Sequence, residues 1–348
     1  MSIRQPSSVA VYGASGHTGG FVLDELARRG IDAIPVGRRD GRTRTGAALR
    51  VAPVEDPEAL ARAFSGCAAV INAAGPFLDT AAPVATAALR AGCHYLDLTA
   101  EQESARATLR DQDAAARGRG LAVIPAAGFY GGLADLLASA MAHDADAGGR
   151  AGGTIDSITV AIALDRWWPT PGTRSTGARN TFARLVIEEG RLAPVPAAPS
   201  NRCWDFGPPL GAHDMVALPF SEMVCLHHHL PVQRARAWFG RDALADLRDP
   251  STAPPTAVDA LGRSPQRFAM DVVLADAGGS RRARASGQDI YAVSAPLVVE
   301  AAARLIAVGP RRAGAQSLGA AFEPRAILDA LAPAWLRVDY DERNAMPA

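Results

Sequence analysis

Apolar runs and helical patterns alternate along the first 140 or so residues of the chain. We predict strands at residues 9–12, 33–36, 49–54, 69–72, 95–98 and 121–125. Helices are predicted between them at residues 18–29, 57–64, 83–91 and 101–116. Continuous apolar strands that alternate with helices are typical of βαβ units on a buried parallel sheet. The pattern therefore predicts an α/β fold that begins with a doubly wound parallel sheet.

The pattern becomes less regular after residue 141. Residues 144–153 are rich in Gly, Ala and Asp and indicate a linker. Strand-like alternation returns at 157–164, 268–275 and 280–285, with helical stretches at 180–189, 295–308 and 323–331. We expect a second α/β domain with a mixed sheet, followed by C-terminal helices. The predicted limits are 1–145, 146–288 and 289–348, and two main domains also suit a length of 348 residues.

Composition narrows the possible functions. The 36 cationic and 36 acidic residues cancel, so the sequence offers neither a basic surface for nucleic acid nor a polybasic membrane anchor. We find no run of eighteen apolar residues, and expect no membrane-spanning segment. Every cation is arginine. The absence of lysine excludes a P-loop lysine, a lysine Schiff base and the Tyr-x-x-x-Lys pair of short-chain dehydrogenases, because arginine stays protonated.

The N-terminus and the cysteines indicate where the protein works. The first residues lead directly into a strand-like segment and lack the apolar stretch of a signal peptide. Cys67, Cys93, Cys203 and Cys225 show no C-x-x-C spacing. A reducing cytoplasm is therefore the expected location. The sequence does not determine the oligomeric state, so a homodimer stays open.

A glycine-rich turn joins the first strand to the first helix, Gly13-Ala-Ser-Gly16-His-Thr-Gly19. Gly13 permits the tight turn, Gly16 lets backbone amides approach a diphosphate, and Gly19 allows the helix to pack closely on the sheet. The helix N-terminus adds N–H donors and a partial positive charge. This context predicts binding of a dinucleotide. A structural turn without a ligand is the alternative.

The second strand ends in Gly37-Arg38-Arg39 and lacks the acidic residue that an NAD site places there. Two guanidinium groups instead suit a ribose 2′-phosphate, so NADP(H) is the expected cofactor. A solvated basic turn is the alternative, since Arg42 and Arg44 continue the run. The fourth strand ends in Asn72-Ala-Ala-Gly75-Pro-Phe77, whose small residues would let ribose and nicotinamide lie against the backbone.

Several blocks together resemble the saccharopine dehydrogenase-like oxidoreductases, a broad family that includes saccharopine reductases and trans-acting enoyl reductases. The blocks are GASGHTG, GRR, NAAGPF, AALRAGCHYLDLTAEQ and AAGFYGGLAD, all within residues 8–140, and the resemblance returns weakly near residues 172 and 287–291. It implies an NADP(H)-dependent hydride transfer, a Rossmann domain, a middle α/β domain over the cleft and a C-terminal helix that packs back on the first domain. The predicted cofactor residues are Gly13, Ser15, Gly16, His17, Thr18, Gly19, Arg38, Arg39, Asn72, Ala73, Ala74, Gly75, Pro76 and Phe77.

Candidate proton-transfer groups stand at or just beyond the ends of predicted strands. Tyr130 is the first candidate, because a neutral phenol can donate to a carbonyl, and Glu101 is the second. The structural alternatives are that Tyr130 only packs and that Glu101 caps a helix. Thr99 is a candidate substrate contact.

The second half offers two further substrate candidates. Trp167 could form a wall of an apolar pocket, and Arg174 could hold a carboxylate, although both could equally be core or oligomer contacts. The consecutive histidines His227–His229 are a possible metal-binding motif, since histidine is a common metal ligand. Adjacent residues cannot all face one ion, and no partner has ligand spacing, so we predict no metal site.

The sequence thus predicts an NADP-dependent oxidoreductase that acts on a C=N, C=C or C=O bond of a small molecule. Two alternatives stay open. A semialdehyde or acyl-phosphate dehydrogenase would need a thiolate nucleophile, yet no cysteine lies in a suitable motif. A non-catalytic NADP-binding sensor would keep the phosphate-binding glycines, and departures from the family pattern around residues 128–135 make this second alternative conceivable.

Overall fold

The computed structural model describes residues 7–145, 153–196 and 202–341, so the predicted linker lies mostly outside the described residues. The first part alternates strands and helices as the sequence predicts. Its elements are β1 (Val9–Tyr12), α1 (His17–Arg28), β2 (Ala33–Gly37), β3 (Arg50–Val51), α2 (Pro57–Phe64), β4 (Ala69–Asn72), α3 (Phe77–Arg90), β5 (His94–Asp97), α4 (Gln102–Asp111), α5 (Asp113–Arg117), β6 (Ala122–Ile124), the π-helix Phe129–Leu133 and α6 (Ala134–Ala145).

The second part contains longer strands and the C-terminal helices. Its elements are β7 (Ile155–Leu164), α7 (Pro171–Arg179), β8 (Leu185–Glu188), β9 (Arg191–Pro194), β10 (Arg202–Asp205), β11 (Ala212–Ala217), α8 (Glu222–His229), β12 (Val232–Gly240), α9 (Arg241–Arg248), β13 (Arg267–Asp276), β14 (Gly279–Gln288), α10 (Ile290–Val308), β15 (Gly314–Ala315), α11 (Leu318–Ala321), α12 (Pro324–Leu331) and β16 (Leu336–Asp341).

The described strands form two sheets. The first has the order β15-β6-β5-β4-β1-β2-β3 and is parallel throughout. Its strand order reverses at β1, between β4 and β2, so the carboxyl ends of these strands open a crevice at one edge of the sheet. In the second sheet β7 pairs with β12 in parallel and with β13 antiparallel. The predicted α/β fold with a doubly wound sheet and a mixed sheet is confirmed.

The C-terminal part contributes to both sheets. β15 extends the parallel sheet, whereas β16 pairs with β14 at the edge of the mixed sheet. Helix α10 packs along α1, and α12 packs on α6 and α10. One continuous hydrophobic core therefore runs from β1 through α10 and α6 to the inner face of the mixed sheet. The domain limits expected from the sequence stay a prediction.

Helix α10 is 19 residues long, with a mean hydropathy of 1.6, and is long and apolar enough to cross a membrane by length and composition alone. The sequence predicted no such segment. Within the fold, 67% of its apolar stretch is buried, as in the core helix of a folded domain. Its apolar length matches its position between the two sheets.

Four predicted helices differ from the structure, and one of them, predicted at 295–308, begins five residues earlier as α10. The helix expected at 180–189 is wrong: α7 starts earlier, because the Thr170 hydroxyl caps it and Pro171 occupies its first turn, and residues 185–188 form β8. Helix α3 begins at Phe77 and runs through Pro83, which the sequence suggested as its start. The helix expected at 101–116 is broken at Gln112 into α4 and α5, and Asp113 ties α5 to the backbone N–H of Ala315.

Candidate active site

The glycine turn has the close backbone contacts that the sequence suggested. Gly13 has a φ of +85°, and a Cβ there would lie 2.9 Å from the Cβ of Ala74. A Cβ on Gly19 would lie only 2.2 Å from the carbonyl oxygen of Gly13. Larger residues at these two positions would force the turn and the start of α1 apart.

The N-terminus of α1 has free backbone donors. Gly16 occupies its N-cap position and no side chain caps the helix there. Ser15 and Gly16 are exposed, and both line a cleft together with His17 and Thr18. An uncapped helix N-terminus behind a glycine turn is a binding site for phosphate groups. Gly19 lies behind this surface and does not line the cleft.

Arg38 and Arg39 follow β2 and are both exposed. Arg38 lines the cleft, whereas Arg39 does not. Neither guanidinium forms a hydrogen bond or ion pair with a described residue. The geometry therefore leaves Arg38 free to bind a phosphate beside the glycine turn, and it distinguishes two arginines that the sequence treated alike.

Asn72 shapes the turn after β4. Its side chain is fully buried: the Oδ1 atom accepts from the N–H of Ala74 at 3.0 Å, and the Nδ2 atom donates to Thr80 and Tyr95 at 3.2 Å each. Asn72 therefore supports the turn from behind. Four of the residues that follow it form a wall of the cleft: Ala73, Ala74, Gly75 and Phe77. Pro76 follows a cis peptide bond and does not line the cleft.

The cleft has a volume of about 550 Å³ and lies between the parallel sheet and elements of the second part. Helix α7 covers the turn after β4 so closely that a Cβ on Gly75 would lie 2.6 Å from the Thr176 hydroxyl oxygen. The lining also includes Glu101, Phe129, Tyr130, Trp167, Arg184, Phe220 and Tyr291, and we call the part of the cleft that these residues line its inner end. A single cleft thus joins the glycine turn to most of the candidate catalytic groups.

Glu101 lies between β5 and α4, and only 1% of the residue is exposed. Its Oε2 atom accepts from the backbone N–H of Phe77 at 2.7 Å, and its Oε1 atom is buried without a hydrogen-bond partner. Burial raises the pKa of Glu101 to about 7, although N–H groups of Phe77 and Leu78 act against this rise. The side chain can therefore carry or release a proton near neutral pH.

Tyr130 lies in the π-helix that precedes α6, the kind of irregular turn that often marks functional sites. Its ring packs 4.2 Å from the ring of Phe220 and 5.1 Å from that of Phe129, measured between centroids. The hydroxyl is buried without a partner among the described residues. Burial raises the pKa of Tyr130 well above its usual range, so the phenol stays neutral and can donate a hydrogen bond.

Trp167 and Tyr291 connect the mixed-sheet part to the glycine turn. The indole N–H of Trp167 donates to the Tyr291 hydroxyl at 2.9 Å, and the Thr173 hydroxyl lies 2.9 Å from the same oxygen. The Tyr291 ring contacts His17 edge-on, with centroids 5.4 Å apart. Burial lowers the pKa of His17, whose Nε2 atom has no partner among the described residues. His17 thus offers a neutral ring at the cleft.

Two candidate substrate residues lie away from the cleft. Arg174 donates to the carbonyl groups of Leu247, Asp249 and Thr252 and holds that loop against α7. Thr99 is buried, and its hydroxyl accepts from the N–H of Glu101. It therefore supports Glu101 rather than facing the cleft.

Arg184 and Tyr291 line the cleft, but sequence reasoning missed both as site residues. The only sequence signal for Tyr291 was the weak resemblance at residues 287–291. Arg184 falls in a region misread as helix, so its position between α7 and β8 gave no signal.

The described residues contain no group of three or more His, Cys, Asp or Glu side chains suited to a metal ion. His229 instead pairs with buried Asp135 at 2.7 Å. None of the four cysteines lines the cleft. The thiolate nucleophile that a semialdehyde dehydrogenase requires is therefore absent from the lining of this cleft.

The residues present fit an NADP(H) cofactor. The glycine cradle leaves room that a Cβ would fill, the helix N-terminus is uncapped, and the Arg38 guanidinium is unpaired among the described residues. The glycine cradle and the helix N-terminus can hold the diphosphate, and the Arg38 guanidinium can hold the 2′-phosphate.

Comparisons with known proteins agree with this geometry. Residues 9–124 match the family model of the saccharopine dehydrogenase NADP-binding domain. No curated protein matches the chain. The fold is similar to that of a saccharopine dehydrogenase (L-Glu forming) from Saccharomyces cerevisiae, with a TM-score of 0.64 and 14% identity over 96% of this chain and 100% of that one. It is also similar to the DAP dehydrogenase of C. glutamicum in complex with DAP, with a TM-score of 0.50 and 12% identity over 94% of this chain and 98% of that one.

At these identities the structural matches establish the fold, and the family model establishes the nucleotide-binding part. The chain therefore contains, at residues 9–124, an NADP-binding domain of the saccharopine dehydrogenase type.

Proposed function

We propose that this protein transfers a hydride between NADP(H) and a C=N, C=C or C=O bond of a small molecule bound in the 550 Å³ cleft. One observation carries the proposal. The buried, unpartnered Oε1 atom of Glu101 and hydroxyl of Tyr130 belong to residues that line the same cleft as the glycine turn. Unpartnered polar atoms are costly in a folded protein, and a bound substrate would satisfy them.

The cofactor, when bound, supplies the hydride chemistry. The backbone N–H groups around Gly16 would hold its diphosphate, and Arg38 its 2′-phosphate. Ala73, Ala74 and Gly75 present a wall without bulky side chains, against which the flat parts of a nucleotide can lie.

Glu101 is the proposed proton donor in the direction of reduction. When the substrate bond accepts a hydride at carbon, its other atom gains negative charge and takes up a proton. A carboxyl group with a pKa of about 7 is close to the ideal for this task at neutral pH. Because Phe77 fixes one oxygen, the proton on the other oxygen keeps a constant position.

Tyr130 is the proposed polarising group. Its neutral hydroxyl can donate to the oxygen or nitrogen of the reacting bond and so stabilise the charge that develops there. Phe129, Phe220 and Trp167 surround its ring and exclude water from this end of the cleft. Exclusion of water strengthens the hydrogen bond that the hydroxyl makes.

We also propose that a small molecule is the sole partner in this reaction, with no part for nucleic acid or membrane, and that the protein works in the cytoplasm as a homodimer. The balanced charge supports the first point. All four cysteines are free, which suits a reducing compartment. Light scattering on the purified chain measures the oligomeric state directly.

Calorimetry with NADPH and a panel of imines, enones and ketones tests the proposal. We expect NADPH to bind and its absorbance to fall with at least one member of the panel. The variant Glu101→Gln should lose this turnover, whereas Glu103→Gln, on the outer side of the same helix α4, should keep it. Binding without turnover across the whole panel would favour the non-catalytic sensor.

A further inference from the structure

Arg184 is a cation at the inner end of the cleft without an acidic partner. It stands between α7 and β8, lines the cleft, and donates from Nη1 to the carbonyl of Pro219 at 2.7 Å. Its guanidinium lies over the Phe220 ring, 4.9 Å from the centroid. No described carboxylate forms an ion pair with it, although burial lowers its pKa. A partly buried cation without an anion is costly, so the site is incomplete as it stands.

The two carboxyl groups that influence Arg184 electrostatically are poor permanent counter-ions for it. Glu222 and Glu101 both act on it electrostatically, but each has a buried oxygen without a partner and a pKa raised to about 7 by burial. Each is therefore substantially protonated at neutral pH. A bound anion beside Arg184 would complete the charge balance and would also favour the protonated form of Glu101.

The surroundings of Arg184 favour a flat apolar body next to that anion. The Phe220 ring contacts both the Arg184 guanidinium and the Tyr130 ring, which is tilted by 30° against it at 4.2 Å. The Trp167 ring lies 6.5 Å from that of Tyr130. Aromatic walls of this kind bind planar groups through stacking and burial.

The cleft has cations for only one anionic group of the substrate. Its lining includes two arginines, Arg184 and Arg38, and Arg38 stands at the end of β2 beside the glycine turn. At the inner end, the one guanidinium is under the electrostatic influence of two ionisable carboxyl groups, Glu222 and Glu101. A dicarboxylate would leave its second charge without a cation and close to Glu101, which is unfavourable.

We propose that Arg184 determines substrate specificity and that the substrate is a planar, aromatic or unsaturated molecule with a single carboxylate or similar anionic group. This proposal rests on the hydride-transfer function proposed above. It assigns to Arg184 the carboxylate-binding role that the sequence suggested for Arg174, whose guanidinium donates instead to backbone carbonyl groups.

Three non-reacting probes test the proposal by calorimetry on the NADP⁺-loaded protein: cinnamate, cinnamamide and phenylsuccinate. Cinnamate should bind at least about tenfold more tightly than the neutral amide, because a charge-assisted bidentate pair forms only with the acid. The dicarboxylate phenylsuccinate should bind more weakly than cinnamate.

Variants assign the preference to one residue. Arg184→Gln should abolish the difference between acid and amide, and Arg184→Lys should restore part of it, since lysine supplies the charge without the planar fork. Arg191→Gln, an exposed arginine on β9, is the matched control and should leave the difference unchanged. NADPH affinity measured on each variant shows whether the fold is intact.

The proposal is overturned if the wild-type protein binds cinnamate and cinnamamide equally or binds neither, if Arg184→Gln keeps the preference, or if phenylsuccinate binds best. Failure of the hydride-transfer proposal is a separate result: NADPH itself would not bind, or no member of the carbonyl, imine and enone panel would be reduced while the acid preference persisted.

Discussion

The Glu101 carboxylate accepts the backbone N–H of Phe77 at 2.7 Å, and this bond joins the segment between β5 and α4 to the first residue of α3. The parallel pairing of β4 and β5 explains why these two segments meet. Both β4 and β5 end at the same edge of the sheet, so the chain segments that follow them meet there. One carboxylate oxygen is thereby fixed by the backbone, and the other has no hydrogen-bond partner among the described residues.

A reduction that uses Glu101 as proton donor should slow as this carboxyl group ionises. We expect kcat/KM to fall as the pH rises through about 7, because only the protonated group can donate. Glu101→Gln keeps an acceptor for the Phe77 N–H but cannot donate as an acid. Its rate should be lower by about 100-fold or more at low pH and should lack the titration near neutral pH.

The pH profile also provides the control for this prediction. Glu103→Gln alters a carboxylate that pairs with Arg106 on the outer side of α4, so its profile should match that of the wild type. A wild-type profile that is flat across neutral pH, or a titration that persists in Glu101→Gln, would assign proton donation to another group.

Removal of the Tyr130 hydroxyl should separate catalysis from stability. In Tyr130→Phe the ring and its contacts with Phe129 and Phe220 remain, while a buried hydroxyl without a partner disappears. We expect the melting temperature to stay the same or to rise, since that hydroxyl is desolvated without compensation. We expect kcat to fall by about tenfold or more if the hydroxyl polarises the substrate. Unchanged kcat would leave Tyr130 with a packing role only.

Local sequence predicted the nucleotide-binding half of the cleft well. The limits of α2 and β4 agree with the prediction because local signals define both. Helix α2 starts at an Asp56 cap followed by Pro57, and β4 is a short apolar run. The glycine turn is similarly local, since backbone proximity between Gly13 and Gly19 follows from a spacing of a few residues.

The substrate half could not be predicted in the same way. Arg184 and Tyr291 reach the cleft only through pairing of strands and packing of helices that are distant in sequence. The stretch around β8 resembled a helix, yet Leu185–Glu188 pairs with β9 as a hairpin, so tertiary context overrode the pattern. Arg174 had the right chemistry, but its hydrogen bonds to the loop at 247–252 fix it elsewhere.

The two arginines after β2 should contribute unequally to cofactor choice. Arg38 lines the cleft and Arg39 does not. Arg38→Ala should weaken NADPH binding by about 10- to 100-fold, the worth of a charge-assisted phosphate contact, and should change NADH binding little. Arg39→Ala should have a smaller effect on NADPH. Calorimetric titration of both variants with both cofactors measures these values, and equal weakening of NADPH and NADH by Arg38→Ala would show that this side chain does not recognise the 2′-phosphate.

Adjacent glycines of α1 offer a matched test of the close contact between helix and turn. Gly19→Ala would place a Cβ 2.2 Å from the Gly13 carbonyl oxygen, whereas the nearest atom to a Cβ on Gly20 is Arg44 Cζ at 3.6 Å. The first variant should lose about 1–3 kcal/mol of unfolding free energy and most NADPH affinity. Gly20→Ala should be neutral or gain up to about 1 kcal/mol. Urea unfolding and NADPH titration check both. Similar behaviour of the two variants would contradict the close approach.

Glu222 should make the folded protein less stable as the pH rises. This carboxyl group is fully buried at the start of α8, where burial raises its pKa to about 7 while N–H groups and Arg184 act against the rise. The folded state therefore holds a proton that the unfolded state has released above about pH 4.5, so unfolding free energy falls between about pH 4.5 and 7. The contribution of Glu222 to this fall is at most about 3 kcal/mol.

Glu101 and Asp97 also lower the unfolding free energy as the pH rises. Burial raises the pKa of Glu101 to about 7 and that of Asp97 to about 6. Glu222→Gln removes one titrating group but keeps an acceptor for the Phe220 N–H, which Glu222 binds at 2.8 Å. Relative to the wild type, this variant should therefore gain stability between about pH 4.5 and 7, and the difference should level off above about pH 7. Glu58→Gln, at an exposed carboxylate paired with Arg90, is the control and should follow the wild-type curve.

Urea unfolding at several pH values distinguishes the outcomes. Parallel curves for the wild type and Glu222→Gln would mean that Glu222 stays ionised in the folded protein. The charge balance around Arg184 would then rest on Glu222 itself.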